Sequence, residues 1–272
     1  MTTLGIGSYA VAWSIGVPGY SAPPEPLDAF GLVRMAAESG VRLVQIADNL
    51  PLHTMTSDLL DALLAESRRL SVAIEVGTRG IAPEHLLRYL AIAKQLGSLL
   101  LRTVVDTATH HPEPPEILAT IRPLLPEFER AGIQLAIENH DRFHAETLAQ
   151  LMRDFDSPQV GICLDTVNSF GSMEGPQHVV AALAPYVVNL HVKDFSIRRA
   201  DHNMGFLLTG TPAGEGMLNV SWLLNQLWAQ GRTFNAILEL WPPPEADSAA
   251  TVTKERDWIA RSISFLRQYI KD

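Results

Sequence analysis

A chain of 272 residues, 47% of them hydrophobic, is long enough to bury a sizeable core, and its length suits one domain, taken here as residues 1–272. Its 21 Lys+Arg against 30 Asp+Glu leave a net charge of -9, and no basic block tracks a phosphate backbone, which argues against a nucleic-acid partner. The single cysteine, Cys163, lies in an apolar run, so neither a disulfide framework nor a Cys-rich zinc site is expected.

That cysteine usage fits a reducing cytoplasm. The opening Met1-Thr2-Thr3-Leu4 has no basic region leading into an apolar stretch. No apolar run approaches the roughly 20 residues that cross a bilayer. A soluble, unexported, cytoplasmic protein without a membrane partner is the expectation.

In chain order, a short strand over residues 4–8 is followed by a Gly/Pro-rich loop, residues 13–26, too long for a plain connector. Helical periodicity runs over 27–39 and stops at Gly40, and a strand follows over 41–47. A helix opens at Thr56 or Ser57 and continues to Arg69, before a third strand over 72–76. Pro83 introduces a helix closed by Gly97, and the fourth strand covers 99–105. After a polar loop over 107–115 comes a single helix predicted for 116–131, closed by Gly132. The fifth strand begins at Ile133 and a helix spans 144–155. Strand six ends at Asp165, a short helix covers 177–183, and strand seven spans 187–192. A long excursion, 195–216, precedes a helix over 220–230, the eighth strand leading to Glu239, and a closing helix over 254–270.

Eight strand-helix units without a break predict a parallel sheet closed into a (β/α)8 TIM barrel, a single-domain α/β fold. A dinucleotide-binding arrangement would need a third glycine after Gly5-Ile6-Gly7, which is missing, and no Walker loop, nucleophile elbow or CxxC is present.

Chemistry gathers at four strand ends. In Ile133-Gln134-Leu135-Ala136-Ile137-Glu138-Asn139-His140 the aliphatic residues share one face, while Glu138 and His140 share the other. The pattern recurs in Val160-Gly161-Ile162-Cys163-Leu164-Asp165, in Val188-Asn189-Leu190-His191-Val192 and in Ala236-Ile237-Leu238-Glu239. Glu138, Asp165, His191 and Glu239 thus point to one site at the C-terminal mouth of a barrel. Three carboxylates and an imidazole make an oxygen-rich set that suits one divalent ion, Mn2+ first, with Mg2+, Co2+ or Zn2+ as alternatives. Taken singly, each could equally be a structural acid or histidine.

Other residues are candidates for the substrate. Lys193 shares the face of His191, and His140 could orient the Glu138 carboxylate. Glu75 and Arg102 have inward parity, where an internal ion pair competes with substrate contact. Tyr9, Trp13 and Trp241 could wall a sugar ring or simply pack. His110 and His111, adjacent and pointing apart, read as solvated loop.

The segments Glu138-Asn139-His140, Asp165-Thr166-Val167-Asn168, His191-Val192-Lys193-Asp194 and Leu238-Glu239-Leu240-Trp241 resemble the sugar-phosphate isomerase/epimerase family, the xylose-isomerase-like TIM barrels that include ketose 3-epimerases. The likeness covers most of the chain and is sharpest after Ile133. It implies one divalent metal on the Glu-Asp-His-Glu set, a small carbohydrate or sugar-acid substrate, and proton transfer by Glu138 and Glu239. The sequence departs from the epimerase pattern at three places. Asn168 stands where those enzymes carry a histidine, Ile197 where an arginine is expected (Arg198 and Arg199 are adjacent), and His144 at the place of a substrate-contacting glutamate.

The expected function is therefore a metal-dependent isomerase or epimerase of a small sugar, working through an enediolate. The alternative is a lyase of the same fold, a decarboxylase of a 3-oxo sugar acid resembling 3-oxo-isoapionate or a dehydratase. A non-catalytic carbohydrate binder would have little use for two acids at a metal, and an apurinic endonuclease would need more ligands and a basic face. Loops 13–26 and 195–216 are expected to cover the barrel mouth and exclude water, and self-association into a homo-oligomer is compatible with this reading.

Overall fold

The computed structural model describes residues 2–271 and is a closed eight-stranded parallel barrel with helices outside. Its strands are β1 (Leu4–Gly7), β2 (Leu43–Ile46), β3 (Ala73–Arg79), β4 (Leu100–Val104), β5 (Gln134–Glu138), β6 (Val160–Asp165), β7 (Val187–Val192) and, after a hairpin of β8 (Asp194–Arg199) and β9 (Phe206–Thr211), β10 (Asn235–Leu238). The first seven pair in sequence, β7 pairs with β10, and β10 closes on β1. The predicted barrel is the observed fold.

Outward-facing aliphatics carry the packing. Leu135 and Ile137 of β5, Ile162 and Leu164 of β6, and Leu190 and Val192 of β7 are wholly buried against the helix layer. Each such side chain contributes roughly 1.5–3 kcal/mol on leaving water. The inward parity is different: Gln45, Glu75, Arg102, Asn189 and His191 fill the barrel interior, all buried. A polar interior needs a complete hydrogen-bond network, and that network builds the site.

A one-turn α1 (Ala12–Ile15) opens the first loop, and helices α2 (Ala29–Glu38), α3 (Ser57–Leu70) and α4 (Pro83–Leu96) follow the expected spans closely. The Thr56 side chain accepts from the Leu59 N–H at 3.3 Å as the N-cap of α3. Gly97 and Gly132, at φ of 70° and 66°, supply the left-handed turn that ends the helices before them. The single helix predicted for 116–131 is broken instead into α5 (Pro114–Ile121), a 3-10 turn at Arg122–Leu124 and α6 (Leu125–Ala131). Pro123 and Pro126 lack the amide hydrogen an unbroken helix would use.

α7 (Ala145–Phe155), α8 (Pro176–Leu183) and α9 (Val220–Ala229) complete the middle of the ring. The last helix, α10 (Ser248–Leu266), starts earlier than predicted because Asp247 caps it, accepting from Ala250 N–H at 2.8 Å. No helix among the described residues is long and apolar enough to cross a membrane.

Candidate metal centre at the barrel mouth

Parallel strands deliver their C-terminal ends to one side, so Glu138, Asp165 and His191, on β5, β6 and β7, meet Glu239, which directly follows β10. The Glu239 N–H donates to the Val192 carbonyl at 3.1 Å, which extends the ladder by one residue and fixes its position beside His191. All four are at most 2% exposed. His191 Nδ1 lies 3.4 Å from Glu138 Oε2, 3.3 Å from Glu239 Oε1 and 3.9 Å from Asp165 Oδ2.

Four buried atoms here have no hydrogen-bond partner: Asp165 Oδ2, His191 Nδ1 and both oxygens of Glu239. Orphaned buried polar atoms are costly, and a cluster of acceptors converging on one point is what a cation satisfies. One donor atom each from Asp165, His191 and Glu239 can be chosen so that all three lie within 4.8 Å of one another. The donor set could hold a metal ion.

The state of His191 follows from its neighbour. Its Nε2 lies 2.7 Å from Gln45 Oε1, while the Gln45 amide donates to Glu75 Oε2 and Asn189 Oδ1, both at 3.0 Å. With the amide hydrogens engaged elsewhere, Gln45 offers His191 an acceptor, so Nε2 carries the proton and Nδ1 presents a lone pair to the site. Glu75 is the anchor beneath, accepting also from Asn189 at 3.0 Å and Asn235 at 2.7 Å. Burial pushes its carboxyl above the usual range against these hydrogen bonds.

Glu138 is held from two sides. Arg102 Nε donates to its Oε2, and Asn168 Nδ2 donates to its Oε1 at 2.7 Å. Burial works to raise the Glu138 carboxyl, but the Arg102 guanidinium beside it, with the Lys193 ammonium further off, outweighs burial and holds it down at about 2. Arg102 also donates from Nη1 to Asp48 Oδ1 and the Thr78 carbonyl, each at 3.2 Å. Asp48 in turn accepts from Arg79 at 3.0 Å and from the Tyr9 hydroxyl at 3.1 Å. Burial first, then Asp48, pushes the Tyr9 phenol up to about 12.

Asp165 Oδ1 accepts from the N–H groups of Val167 and Asn168, both at 2.8 Å, which turns Oδ2 toward Lys193. Lys193 Nζ stands 2.8 Å from Asp165 Oδ2 and 2.9 Å from Glu239 Oε2, an ion pair with both carboxylates. Burial lowers the Lys193 ammonium, but the surrounding carboxylates raise it well above its ordinary value. A cavity of about 350 Å³ opens above, lined among others by Tyr9, Asp141, Asn168, Lys193, Leu208 and Trp241. The Trp241 indole N–H is buried without an acceptor.

Residues 33–269 match the xylose isomerase-like TIM barrel family. The chain belongs to that family. It is 35% identical to a 3-oxo-isoapionate decarboxylase of Pectobacterium atrosepticum, over 97% of this chain and 94% of that one. Among solved structures it is similar to a D-psicose 3-epimerase of Clostridium cellulolyticum, with TM-score 0.76 and 13% identity over the whole of both chains. A family protein of Mycobacterium smegmatis, in complex with magnesium, superposes with TM-score 0.67 and 14% identity over 97% of each chain. At these identities the two structures speak for the fold.

Against this family frame, the other sequence candidates fall in different places. Asn168 and Lys193 line the cavity, Arg102 lies beneath it on Glu138, and Glu75 has both oxygens taken by amides deeper in the barrel. His140 pairs with Asp141 rather than with Glu138, whose partners are Arg102 and Asn168. His144 sits at the N-cap of α7, mostly exposed, with its Nδ1 3.1 Å from Glu174. His110 and His111 pair with Glu116 and Asp106 at the surface.

Of the two loops expected over the mouth, the excursion 195–216 reaches the cavity through Leu208 of the β8–β9 hairpin. Its outer part is not a closed cover: Ile197, Phe206 and Met204 are 41%, 63% and 80% exposed. The first loop is placed elsewhere. The Trp13 and Ser14 N–H groups donate to Glu255 of α10 at 2.7 and 2.9 Å, and the Trp13 indole donates to the Pro242 carbonyl at 3.0 Å, which keeps Trp13 off the cavity lining.

Four supporting residues carried no sequence signal strong enough to single them out: Gln45, Asp48, Asn139 and Asp194. Asn139 joins the ends of β5 and β6 by accepting from Asp165 N–H at 2.7 Å and donating to the Asp165 carbonyl at 2.9 Å. A buried polar residue at inward parity in an otherwise apolar strand, as in Leu43-Val44-Gln45-Ile46, is the clue that would have found Gln45.

Proposed function

We propose that this protein is a divalent-metal-dependent decarboxylase of a small 3-oxo sugar acid. The observation that carries the reading is the double hold on Glu138, one oxygen taken by Arg102 and the other by Asn168. A carboxylate with both oxygens engaged and an arginine held against it is a poor base for a carbon-bound proton. Epimerisation of a ketose needs such a base, and loss of CO2 from a 3-oxo acid does not. The 35% identity to the Pectobacterium decarboxylase over 97% of the chain supports the same choice.

Glu138, Asp165, His191 and Glu239 would hold the ion, with Mn2+ favoured by the oxygen-rich set and Mg2+, Co2+ or Zn2+ compatible. Bound there, a divalent cation polarises the substrate ketone and stabilises negative charge on its oxygen. The chain's own residues do the rest. Lys193 is the cationic side chain on the cavity wall and receives the carboxylate. Apolar neighbours such as Leu208 and Trp241 keep water from the reacting carbons. The bond between the carboxylate carbon and C2 breaks, its electron pair forms the C2–C3 double bond of an enolate, and CO2 departs. The proton that C2 then needs comes from solvent, and Glu239, beside the site and with oxygens that carry no hydrogen bond, is placed to relay it.

A second reading, isomerase or epimerase of a small sugar, is favoured by the placing of two carboxylates, Glu138 and Glu239, at 3.4 and 3.3 Å from the same His191 nitrogen. Incubating Mn2+-loaded protein with four- to six-carbon 3-oxo sugar acids and, separately, with ketoses tests the choice. CO2 release from an acid with inert ketoses supports the decarboxylase, and ketose interconversion with inert acids overturns it.

A further inference from the structure

Lys193 occupies an unusual position for a substrate-binding lysine. Its ammonium rests on Asp165 Oδ2 and Glu239 Oε2, two of the orphaned acceptors that with His191 Nδ1 make up the candidate metal seat. An ion at the usual 2.0–2.3 Å from those oxygens and an ammonium at the present distances would be two cations in near contact within a buried site. They cannot share the oxygens without strong repulsion.

The lysine has somewhere to go. Its side chain is 15% exposed on the cavity wall, its stem is long and flexible, and its Nζ also donates to Asn168 Oδ1, 3.5 Å away on the same wall. Among the described residues lining that cavity no other side chain is cationic. Arg102 lies below, committed to Glu138, Asp48 and the Thr78 carbonyl.

We infer that Lys193 is a displaceable placeholder: its ammonium neutralises Asp165 and Glu239 until a divalent cation takes the seat, and then withdraws into the cavity, where it becomes the receptor for the carboxylate of an acid substrate. Before the ion binds, the ammonium is paired and offers an acid nothing. Afterwards it is a cation released from Asp165 and Glu239, facing a largely apolar cavity whose wall also carries Asn168 and Asp141. Ion and acid therefore bind cooperatively, each strengthening the other by the same factor. The acid arm of this inference rests on the decarboxylase reading, and the metal arm does not.

The test uses full-length protein stripped of metal and read by calorimetry. With Mn2+ alone, Lys193→Met should bind at least about tenfold more tightly than wild type, because the competitor is gone. Arg79→Met removes a rim charge that contacts Asp48 and none of the seat atoms, and should change Mn2+ affinity less than about twofold. In the second arm, the unreactive sugar acid threonate should bind wild type about tenfold or more tightly with Mn2+ than without, and Lys193→Met should lose that dependence. Lys193→Gln serves if the Met variant does not fold. Equal Mn2+ affinity in wild type and Lys193→Met, equal gains in Lys193→Met and Arg79→Met, or Mn2+-independent threonate binding in wild type overturns the inference. Failure of the decarboxylase reading would show instead as absent CO2 release, with the Mn2+ arm intact.

Discussion

Gln45 Oε1 and His191 Nε2 stand 2.7 Å apart across 146 residues of sequence, and this one contact decides which imidazole nitrogen faces the site. Supporting partners of this kind typically change metal affinity by about 10–100-fold. Gln45→Met should therefore weaken Mn2+ binding by about that factor, and by releasing Glu75 and Asn189 as well should cost about 1–3 kcal/mol of stability. Calorimetry and thermal melting separate the two effects, and unchanged Mn2+ affinity in a folded variant would remove Gln45 from the account.

Gly7 leaves room for Glu239. A Cβ there would lie 3.0 Å from Glu239 Cγ and 3.2 Å from its Oε1. Gly7→Ala should cost about 1–3 kcal/mol by overpacking. The displaced carboxylate should lower kcat/KM by about 10–100-fold. A melting curve paired with steady-state rates tests this, and full activity in the variant would show that Glu239 tolerates the shift.

The Glu138–Arg102 pair predicts acid sensitivity with a definite sign. The folded carboxyl, at about 2, lies below its ordinary 4.5, so the pair's contribution is complete above pH 4.5 and is lost as pH falls toward 2. Denaturant melts of metal-free wild type and Arg102→Met should differ most near neutrality, by about 3 kcal/mol or more because the variant leaves a buried charge unpaired. The gap should narrow below pH 4.5. A pH-independent gap would mean that Glu138 does not titrate against Arg102.

Asp194 orders the excursion after β7. Its carboxylate accepts from the N–H groups of Phe195, Gly214, Gly216 and Leu218 at 2.7, 2.8, 3.0 and 2.9 Å. Asp194→Ala strips these donors of their acceptor, at about 1–3 kcal/mol for each one left unsatisfied. Limited proteolysis should then cut within 195–216 at least about tenfold faster than in wild type. Equal cleavage rates would contradict this role.

The barrel could be read from sequence because strand and helix alternated eight times and because Gly and Pro marked the joints. Glu138, Asp165, His191 and Glu239 stood out by a local property, since each ends an aliphatic run of fixed parity, and the structure brings them together. The supports stood out less because their partners are remote: Gln45 reaches Glu75, Asn189 and His191, and Asp48 reaches Tyr9, Arg79 and Arg102. Strand parity does not extend to His140, because β5 ends at Glu138 and the alternation ends with it. The hairpin was missed for a similar reason. Phe206-Leu207-Leu208 shows no alternation of apolar and polar residues, and its order depends on Asp194 holding the far end of the excursion.

Deuterium followed during turnover tests most directly whether Glu138 is no base and Glu239 relays a solvent proton to carbon. Mn2+-loaded protein would be given a 3-oxo sugar acid in D2O, and the ketose product analysed by mass spectrometry and NMR. The account predicts CO2 release with one deuterium placed at the carbon that lost the carboxylate, and no further exchange of the product on prolonged incubation. Intact acid, or product whose remaining α-hydrogens wash out at rates comparable to turnover, would contradict it.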